Sequence, residues 1–231
     1  MDWKDHWQQY PEGFDETEFL AQVGKTVNRA PISPEQFSMI VRSVVDALKI
    51  DAGDTVLDLC CGNGLITHAI SSHCKAISGI DYSAPLIEVA RRHKAGPNIT
   101  YYSGSVLDID ALPPLVSFKK AYMYEALQHF RRDELRPILS TIFSPGSSVQ
   151  ALLLASVPDR SRRWRFYNTP QRKLDWLIRT LKGAEAIGTW WGRRDIIDAC
   201  SRLGLSAEFM EQPGGLYTAH YRMNVLIQRS T

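Results

Sequence analysis

The sequence predicts an α/β fold: a doubly wound, mostly parallel seven-stranded sheet with helices on both faces and a terminal antiparallel strand pair. Between residues 55 and 156, short apolar runs rich in strand-forming residues alternate with stretches of helical periodicity. That alternation is typical of a parallel sheet covered on both faces. The last two apolar runs, 207–211 and 221–227, are close in sequence and predict an antiparallel hairpin at the sheet edge.

The individual elements follow from local signals. Ser33 and Pro34 suit the N-cap and the first turn of a helix that runs to Leu48. Ser83 and Pro85 mark another helix start in the same way. The five strands before the hairpin are expected at 55–60, 76–81, 99–102, 120–124 and 149–156. The helices after the first are expected at 64–72, 84–93, 133–143 and 193–203.

The length of the chain bounds its domain organisation. Its 231 residues are enough for one substantial core and few for two full domains. Residues 1–34 are irregular and rich in aromatic and polar side chains, and they precede a domain predicted at 35–231. A basic, aromatic insertion interrupts that domain at about 158–188.

The composition disfavours several classes of partner. A net charge of +2 gives no overall attraction to nucleic acid or to an anionic membrane. No apolar run approaches the roughly 20 residues that span a bilayer, so no membrane partner is expected. The four cysteines match no zinc motif and are interpreted as reduced thiols in a cytoplasmic protein without a metal site.

A glycine-rich turn at residues 56–67 joins a strand to a helix. Gly62 and Gly64 allow the backbone to approach a ligand closely and to adopt positive φ. Asp81 ends the next strand, 19 residues after Gly62, where a carboxylate can accept hydrogen bonds from both hydroxyls of a ribose. Together, loop, carboxylate and strand context predict a site for a ribose-containing ligand.

Two further residues distinguish between ligands of that kind. A dinucleotide site would have a third glycine where this chain has Thr67, and it does not need the acid that the first strand carries, Asp58. The run D-L-C-C-G-N-G resembles the first motif of class I S-adenosylmethionine (SAM)-dependent methyltransferases, and G-I-D-Y-S resembles their second. Residues 103–108 fit the family's third landmark, and the resemblance covers about residues 35–229.

The resemblance implies a Rossmann-like fold and SAM as the cofactor. Residues 1–34 are then similar to the lid segment of small-molecule methyltransferases, and Arg29 is either a partner for the SAM carboxylate or a surface arginine. By the same resemblance, the methionine moiety, the ribose and the adenine would be held by Asp58, Cys61, Gly62, Gly64, Asp81, Tyr82, Ser105 and Val106.

The acceptor is expected beside the loop after the fourth strand, because ligands of open α/β sheets lie at the carboxyl ends of the strands. Tyr124 is a candidate acceptor contact there. His129 is interpreted either as a general base or as a brace for the loop. Glu125 either binds an amine or hydroxyl of the acceptor or faces solvent.

The stretch 160–173 carries six basic and three aromatic side chains. It frames a pocket for a small anion, binds nucleic acid or forms a solvated basic face. If the stretch is extended, Arg163 and Arg165 project to the same side and Phe166 to the other. Candidate acceptor contacts in the insertion and in the hairpin loop are Arg163, Arg165, Tyr167, Asn168, Tyr217 and His220. Arg222 is expected to begin an edge strand.

These interpretations predict an enzyme that transfers a methyl group from SAM to a hydroxyl or amine of a small polar acceptor, with anionic and sugar-like acceptors included. Two alternatives stay open: an RNA-modifying methyltransferase, which the basic insertion favours, and a SAM-binding regulator without catalysis. The oligomeric state is not predicted by any of these features.

Overall fold

The computed structural model describes residues 3–108 and 113–230. Its central sheet has seven strands: β3 (Thr55–Leu59), β4 (Ala76–Asp81), β5 (Ile99–Ser103), β6 (Lys120–Tyr124), β7 (Ala151–Pro158), β8 (Leu205–Glu211) and β9 (Arg222–Arg229). Their spatial order is β5-β4-β3-β6-β7-β9-β8. The five strands from β5 to β7 are parallel, whereas β9 is antiparallel to both β7 and β8. The predicted fold class is confirmed.

The helices begin and end close to the predicted positions. They are α3 (Pro34–Leu48), α4 (Leu65–Ile70), α5 (Ala84–His93), α6 (Arg132–Ile142) and α9 (Arg193–Ser201). Ser33 caps α3, since its hydroxyl accepts a hydrogen bond from the backbone N–H of Gln36. Ser83 precedes α5 as predicted but does not cap it with its side chain. Its hydroxyl instead donates to the carbonyl of Trp7 in the N-terminal segment.

Two apolar layers hold the helices to the sheet. Successive residues of β3 show the division, because side chains of a strand alternate between its faces. Val56 packs in a cluster with residues of α3 and α4, and Leu57 packs in a second cluster with residues of α6 and α9. All four of these helices therefore bury their apolar faces against the sheet, and the carboxyl ends of the parallel strands stay accessible to a ligand.

The hairpin corrects the prediction for Arg222. The last strand, β9, lies between β7 and β8, so β8 forms the sheet edge. Arg222 is 4% exposed, and its guanidinium donates to the carbonyl of Ser156 and to the side chain of Gln128. The topology explains the difference: β9 lies between two strands rather than at the edge, and Arg222 itself pairs with Pro158 of β7.

The insertion corrects a second prediction. It is helical, with α7 at Arg163–Phe166 and α8 at Pro170–Leu181. Thr169 and Pro170 start α8 in the usual way, since the Thr169 hydroxyl accepts from the N–H of Arg172 and proline is tolerated in the first turn. Residues two apart in a helix project about 200° from each other. Arg163 and Arg165 therefore do not converge on one anion.

The N-terminal segment packs over the end of the sheet. It contains α1 (Trp3–Gln9), α2 (Phe19–Gln22) and an antiparallel ribbon of β1 (Thr26–Val27) and β2 (Ala30–Pro31). The first two residues of the predicted 1–34 segment lie outside the described residues. Among the helices that the structure describes, none has the length and apolar character needed to cross a bilayer.

Replacing Gly64 with alanine should destabilise the fold by about 2–4 kcal/mol. Gly64 has a φ of +72°, and an added Cβ would collide with the Tyr101 ring and hydroxyl. Urea unfolding of the variant measures the effect. Gly146→Ala is the matched control, because an added Cβ there meets nothing within 4 Å. Equal stability losses in the two variants would contradict this account of Gly64.

Candidate functional site

Two adjoining cavities lie at the carboxyl ends of β3, β4 and β6. They share lining residues at Cys60, Asp81, Tyr82, His129 and Phe130. The first cavity continues beneath the N-terminal segment, and the second continues toward the loop after β5. The arrangement forms one elongated site with two different ends.

The loop after β3 makes its turn with left-handed backbone at three positions, Cys60, Gly62 and Gly64, where φ is +63°, +56° and +72°. Gly62 lines the first cavity, and an added Cβ would lie 2.9 Å from Cγ1 of Val23. Gly62 is thus required by the close approach of the N-terminal segment. Gly64 is not among the residues that line the cavity, and the Tyr101 ring lies against it.

Asp81 connects this loop to the end of β4. Its two carboxylate oxygens accept hydrogen bonds from the backbone N–H of Gly62, at 2.9 Å, and of Ser83, at 2.8 Å. Burial raises the pKa of the Asp81 carboxyl. A carboxylate offers about four acceptor positions, so two bonds to the backbone leave capacity for ribose hydroxyls.

Asp58 is buried at the base of the first cavity. Its Oδ2 accepts hydrogen bonds from the hydroxyls of Thr67, at 2.6 Å, and Tyr122, at 2.5 Å. Burial raises the pKa of Asp58 to about 7, although both hydrogen bonds favour the ionised form. Thr67 occupies the position at which a dinucleotide-binding motif would have its third glycine. Its hydroxyl instead donates a hydrogen bond to Asp58, an acid that a dinucleotide site does not need.

The adenine-binding residues expected from the resemblance lie at the other end of the site. Tyr82, Ser105 and Val106 line the second cavity with Leu107. The Ser105 hydroxyl accepts from the backbone N–H of Leu107 and fixes the turn after β5. The structure thus brings these three residues to the same wall as Asp81.

A cluster of charges lies at the first cavity, directly after β6. Glu125 accepts a hydrogen bond from the Lys25 ammonium at 2.7 Å, and Nε of Arg222 lies 3.9 Å from its other oxygen. The hydroxyls of Ser156 and Tyr217 each lie 3.5 Å from that second oxygen. Burial alone would raise the pKa of Glu125, but the charges of Lys25 and Arg222 hold it below the ordinary value. Glu125 is therefore ionised and does not face open solvent.

The backbone of Glu125 is unusual for a residue with a side chain. Its φ is +54°, and its N–H donates to the carbonyl of Ala155 on β7. Left-handed backbone at a residue other than glycine is uncommon and tends to occur at functional positions. The conformation places the carboxylate at the cavity wall beside Tyr124, whose ring lies 4.6 Å from the Lys25 ammonium.

His129 is buried at the junction of the two cavities. The indole N–H of Trp7 donates to its Nε2 at 3.3 Å. Trp can only donate, so Nε2 is the unprotonated nitrogen of the ring. Burial and then the charge of Arg222 lower the pKa of His129 to about 3. The imidazole is thus neutral at physiological pH, and in this conformation its acceptor nitrogen is engaged by the N-terminal segment.

Several residues predicted for the site lie elsewhere. Arg29 is at the exposed tip of the β1–β2 ribbon, and Arg165, Asn168 and His220 are exposed. Tyr167 is buried in the insertion, with its hydroxyl hydrogen-bonded to Glu185. None of these residues lines either cavity.

Arg163 is also held away from the site. Its guanidinium lies 4.6 Å and 4.2 Å from the ring centres of Trp164 and Trp176, both in the insertion. Contacts of this kind stabilise an arginine against aromatic faces. The predicted pairing of Arg163 with an acceptor anion is replaced by this stacking.

The adjacent thiols of Cys60 and Cys61 both line the first cavity. Burial, reinforced by the nearby charges of Asp58 and Asp81, raises both thiol pKa values well above the ordinary value. A thiolate is the nucleophilic form of cysteine, so neither residue is activated as a nucleophile. Cys61 lines the first cavity and forms part of its wall.

Three of the residues at the site are not predicted by any sequence pattern. Lys25 is 100 residues from its partner Glu125, and Arg222 was expected at an exposed edge. Asn63 stands within the glycine motif, and its amide donates to Phe19 and Gln22 of α2. Within the described residues, Oδ1 of Asn63 is buried without a hydrogen-bond partner.

The site combines a buried carboxylate at the end of β4 with an ionised carboxylate after β6, at the carboxyl ends of the parallel strands of an α/β sheet. Comparison with known proteins identifies the kind of domain. Residues 56–144 match the family model of a methyltransferase domain. Residues 56–144 therefore carry a methyltransferase domain, in agreement with the resemblance of the two sequence motifs to methyltransferases.

Two relatives illustrate the range of matches. A ubiquinone biosynthesis O-methyltransferase of Thiobacillus denitrificans is 30% identical over 138 residues, which cover 59% of this chain and 53% of the relative. The mouse (Mus musculus) tRNA (uracil-5-)-methyltransferase homolog A is 26% identical over 146 residues, which cover 58% of this chain and 24% of the relative. The chain thus spans about half and about a quarter of the lengths of these relatives.

The fold is also shared with solved structures. The magnesium protoporphyrin IX methyltransferase of Synechocystis, crystallised with S-adenosylhomocysteine (SAH), superimposes with a TM-score of 0.66. The match covers 98% of this chain and 97% of the other at 15% identity. Likeness at this level of identity establishes the common fold.

The raised pKa of Asp58 predicts a specific dependence of stability on pH. The folded state binds this proton more tightly than the unfolded chain. The resulting stabilisation is therefore complete below the ordinary pKa of 3.8 and disappears as the pH rises through about 7. Compared with Asp58→Asn, the wild-type free energy of unfolding should fall between about pH 4 and pH 7 and then level off.

Urea unfolding of both proteins across this pH range measures the difference. Asp198→Asn serves as the control, because Asp198 is an exposed carboxylate. A constant difference between wild type and Asp58→Asn would show that Asp58 titrates as it does in the unfolded chain.

Proposed function

We propose that this chain is a SAM-dependent methyltransferase that methylates a hydroxyl or amine of a small polar acceptor. One observation carries the proposal: Asp81 at the ribose position and the ionised Glu125 after β6 line the same cavity. A nucleoside-binding end and a polar acceptor end are thus continuous, as a group transfer between two bound molecules requires.

The residues present fit SAM. Asp81 retains acceptor capacity for the ribose hydroxyls, and Tyr82, Ser105 and Val106 would enclose the adenine. The orphaned Oδ1 of Asn63, a residue that lines the first cavity, suits the ammonium of the methionine moiety. When bound, SAM supplies an electrophilic methyl group on a sulfonium centre.

Glu125 is proposed to orient the acceptor. An ionised carboxylate accepts a hydrogen bond from O–H or N–H, and such charge-assisted bonds are strong when shielded from water. Lys25 and Arg222 hold the carboxylate in place from two sides. Trp7 and Val23 of the N-terminal segment line the same cavity, so this segment is proposed as the lid that excludes water.

The site is not built around a strong base. The pKa values of Glu125 and His129 are both lowered, and His129 is engaged by Trp7. A weakly basic group gives little driving force for removing a proton from an ordinary alcohol. The site therefore suits a neutral amine or an acidic hydroxyl, for which correct positioning supplies much of the rate enhancement. His129 is proposed to brace the loop.

A second candidate, methylation of RNA, is favoured by the basic insertion. Residues 160–182 carry eight basic side chains and one acidic side chain. Acceptor KM values at two salt concentrations distinguish the candidates, since an RNA substrate that contacts several phosphates loses affinity steeply with added salt. SAM binding without catalysis is the outcome if no acceptor is methylated.

The direct test is to incubate the full chain with SAM and a panel of amines, phenols, hydroxy acids and RNA, with SAH release as the readout. A rise in SAH with one of the small acceptors, and a mass increase of one methyl group on that acceptor, are expected. SAH release with RNA alone would replace the small-molecule proposal.

Asp81→Ala should weaken SAH binding at least about tenfold, because it removes charge-assisted contacts to the ribose. Calorimetric titration measures the dissociation constant, and thermal unfolding without ligand shows whether the variant is folded. Asp198→Ala, which removes an exposed carboxylate, should bind SAH normally. Unchanged affinity in folded Asp81→Ala would remove the ribose assignment.

Glu125→Gln should lower kcat/KM for the acceptor about ten- to a hundredfold, with SAH affinity nearly unchanged. The single change leaves Lys25 buried without its partner, which costs stability. The double variant Lys25→Met, Glu125→Gln removes both members of this ion pair, while Arg222 keeps its hydrogen bonds to Ser156 and Gln128. It should recover stability while turnover stays low. Wild-type turnover in either folded variant would show that Glu125 does not hold the acceptor.

A further inference from the structure

Helix α8 turns an apolar stripe toward solvent. Leu174, Leu177, Ile178 and Leu181 are 51%, 48%, 42% and 80% exposed. Their spacing places them within a sector of about 100° on one face of the helix. A surface helix normally directs such a stripe inward, so this face is available to a partner.

The opposite face of α8 is anchored to the protein. Trp176, about 150° from the centre of the stripe, is the one partly buried residue of this helix, all of which the structure describes. Its ring packs edge-on against Trp164 at 5.1 Å between centroids, and the Arg163 guanidinium lies 4.2 Å from its centre. The outward direction of the stripe is therefore fixed by packing on the other side.

Positive charge surrounds the stripe. The eight basic and one acidic side chains of residues 160–182 give this segment a net charge of +7, in a chain with a net charge of +2. Lys173 and Lys182 project about 40° beyond the two edges of the stripe. In the described part of the chain, no carboxylate lies within 4 Å of the ammonium of either lysine or of the Arg179 guanidinium.

We propose that α8 docks on an anionic lipid bilayer and lies in its interface. An interfacial helix buries an apolar face roughly 5–10 Å into the boundary between headgroups and acyl chains, while basic side chains meet anionic lipids. Both halves of that arrangement are present on one face of α8. A helix in this orientation lies on a membrane and does not span it.

Charge complementarity selects the bilayer over other occupants. A second copy of this chain would bring another segment of net charge +7 against the first, which is unfavourable. RNA would satisfy the basic side chains but leave four aliphatic side chains in water. The expectation of no membrane partner depended on two observations. The net charge of the whole chain conceals the basic insertion, because acidic residues elsewhere offset it. The lack of a run long enough to span a bilayer does not bear on a helix that lies in the interface.

The test is flotation of the full chain with vesicles of phosphatidylcholine alone and of phosphatidylcholine with about one third phosphatidylglycerol. The wild type should bind the anionic vesicles, and added salt should weaken binding. Leu177→Ser combined with Leu181→Ser should lower the partition coefficient about tenfold. Val116→Ser with Ile197→Ser is the matched control, since both residues are exposed apolar side chains elsewhere and should leave partitioning unchanged.

A second pair of changes tests the charge. Lys173→Glu with Lys182→Glu should also reduce binding to anionic vesicles, and SAH binding should be retained in every variant. The proposal fails if wild type does not bind vesicles, if neutral vesicles bind it equally well, or if the control pair loses as much binding as the stripe pair. If the protein dimerises without vesicles and the stripe or charge pair abolishes dimerisation, the face binds a second copy of the chain. If the protein retains RNA and the stripe or charge pair abolishes that retention, the face binds RNA.

Discussion

Asp81 accepts hydrogen bonds from the backbone of Gly62 and Ser83, and these two bonds fix the loop after β3 against the start of α5. The path of that loop determines where the N-terminal segment packs. Gly62 leaves only enough room for Val23 of the N-terminal segment, and the same segment places Lys25 against Glu125. One buried carboxylate thus aligns the proposed ribose position, the segment over the cavity and the charged end of the cavity.

The charges at the site are costly to bury, and each has a specific compensation. Asp58 is held by two hydroxyls and titrates near neutrality, whereas Glu125 remains ionised because Lys25 and Arg222 face it. Buried ion pairs contribute little net stability compared with apolar packing, and removing one member is strongly destabilising. Their presence here is better explained by the requirement for a fixed, polar wall than by stabilisation of the fold.

Most of the features that the sequence predicts correctly depend on local contacts. The strands, the α3 cap and the glycine loop depend on neighbouring residues, and they appear where the patterns predict them. Lys25 was missed because its partner is 100 residues away, and Arg222 because strand order depends on the whole sheet. Helix α8 is not predicted for a different reason. Thr169 and Pro170 are typical of a helix start, and the apolar residues that follow have helical spacing. The basic side chains of residues 160–173 conceal this signal, because the same composition also fits a solvated basic face.

The insertion and the end of the first cavity that Glu125 lines belong to one packed unit. Phe166 of α7 packs against Tyr221 with 4.7 Å between ring centroids, and Tyr221 directly precedes Arg222, which faces Glu125. Tyr167 and Trp190 complete the same buried aromatic cluster. Because close-packed interiors transmit displacement with little slack, an α8 held on a surface would also hold the start of β9. The orientation of a docked protein would thereby constrain which side of the cavity receives the acceptor.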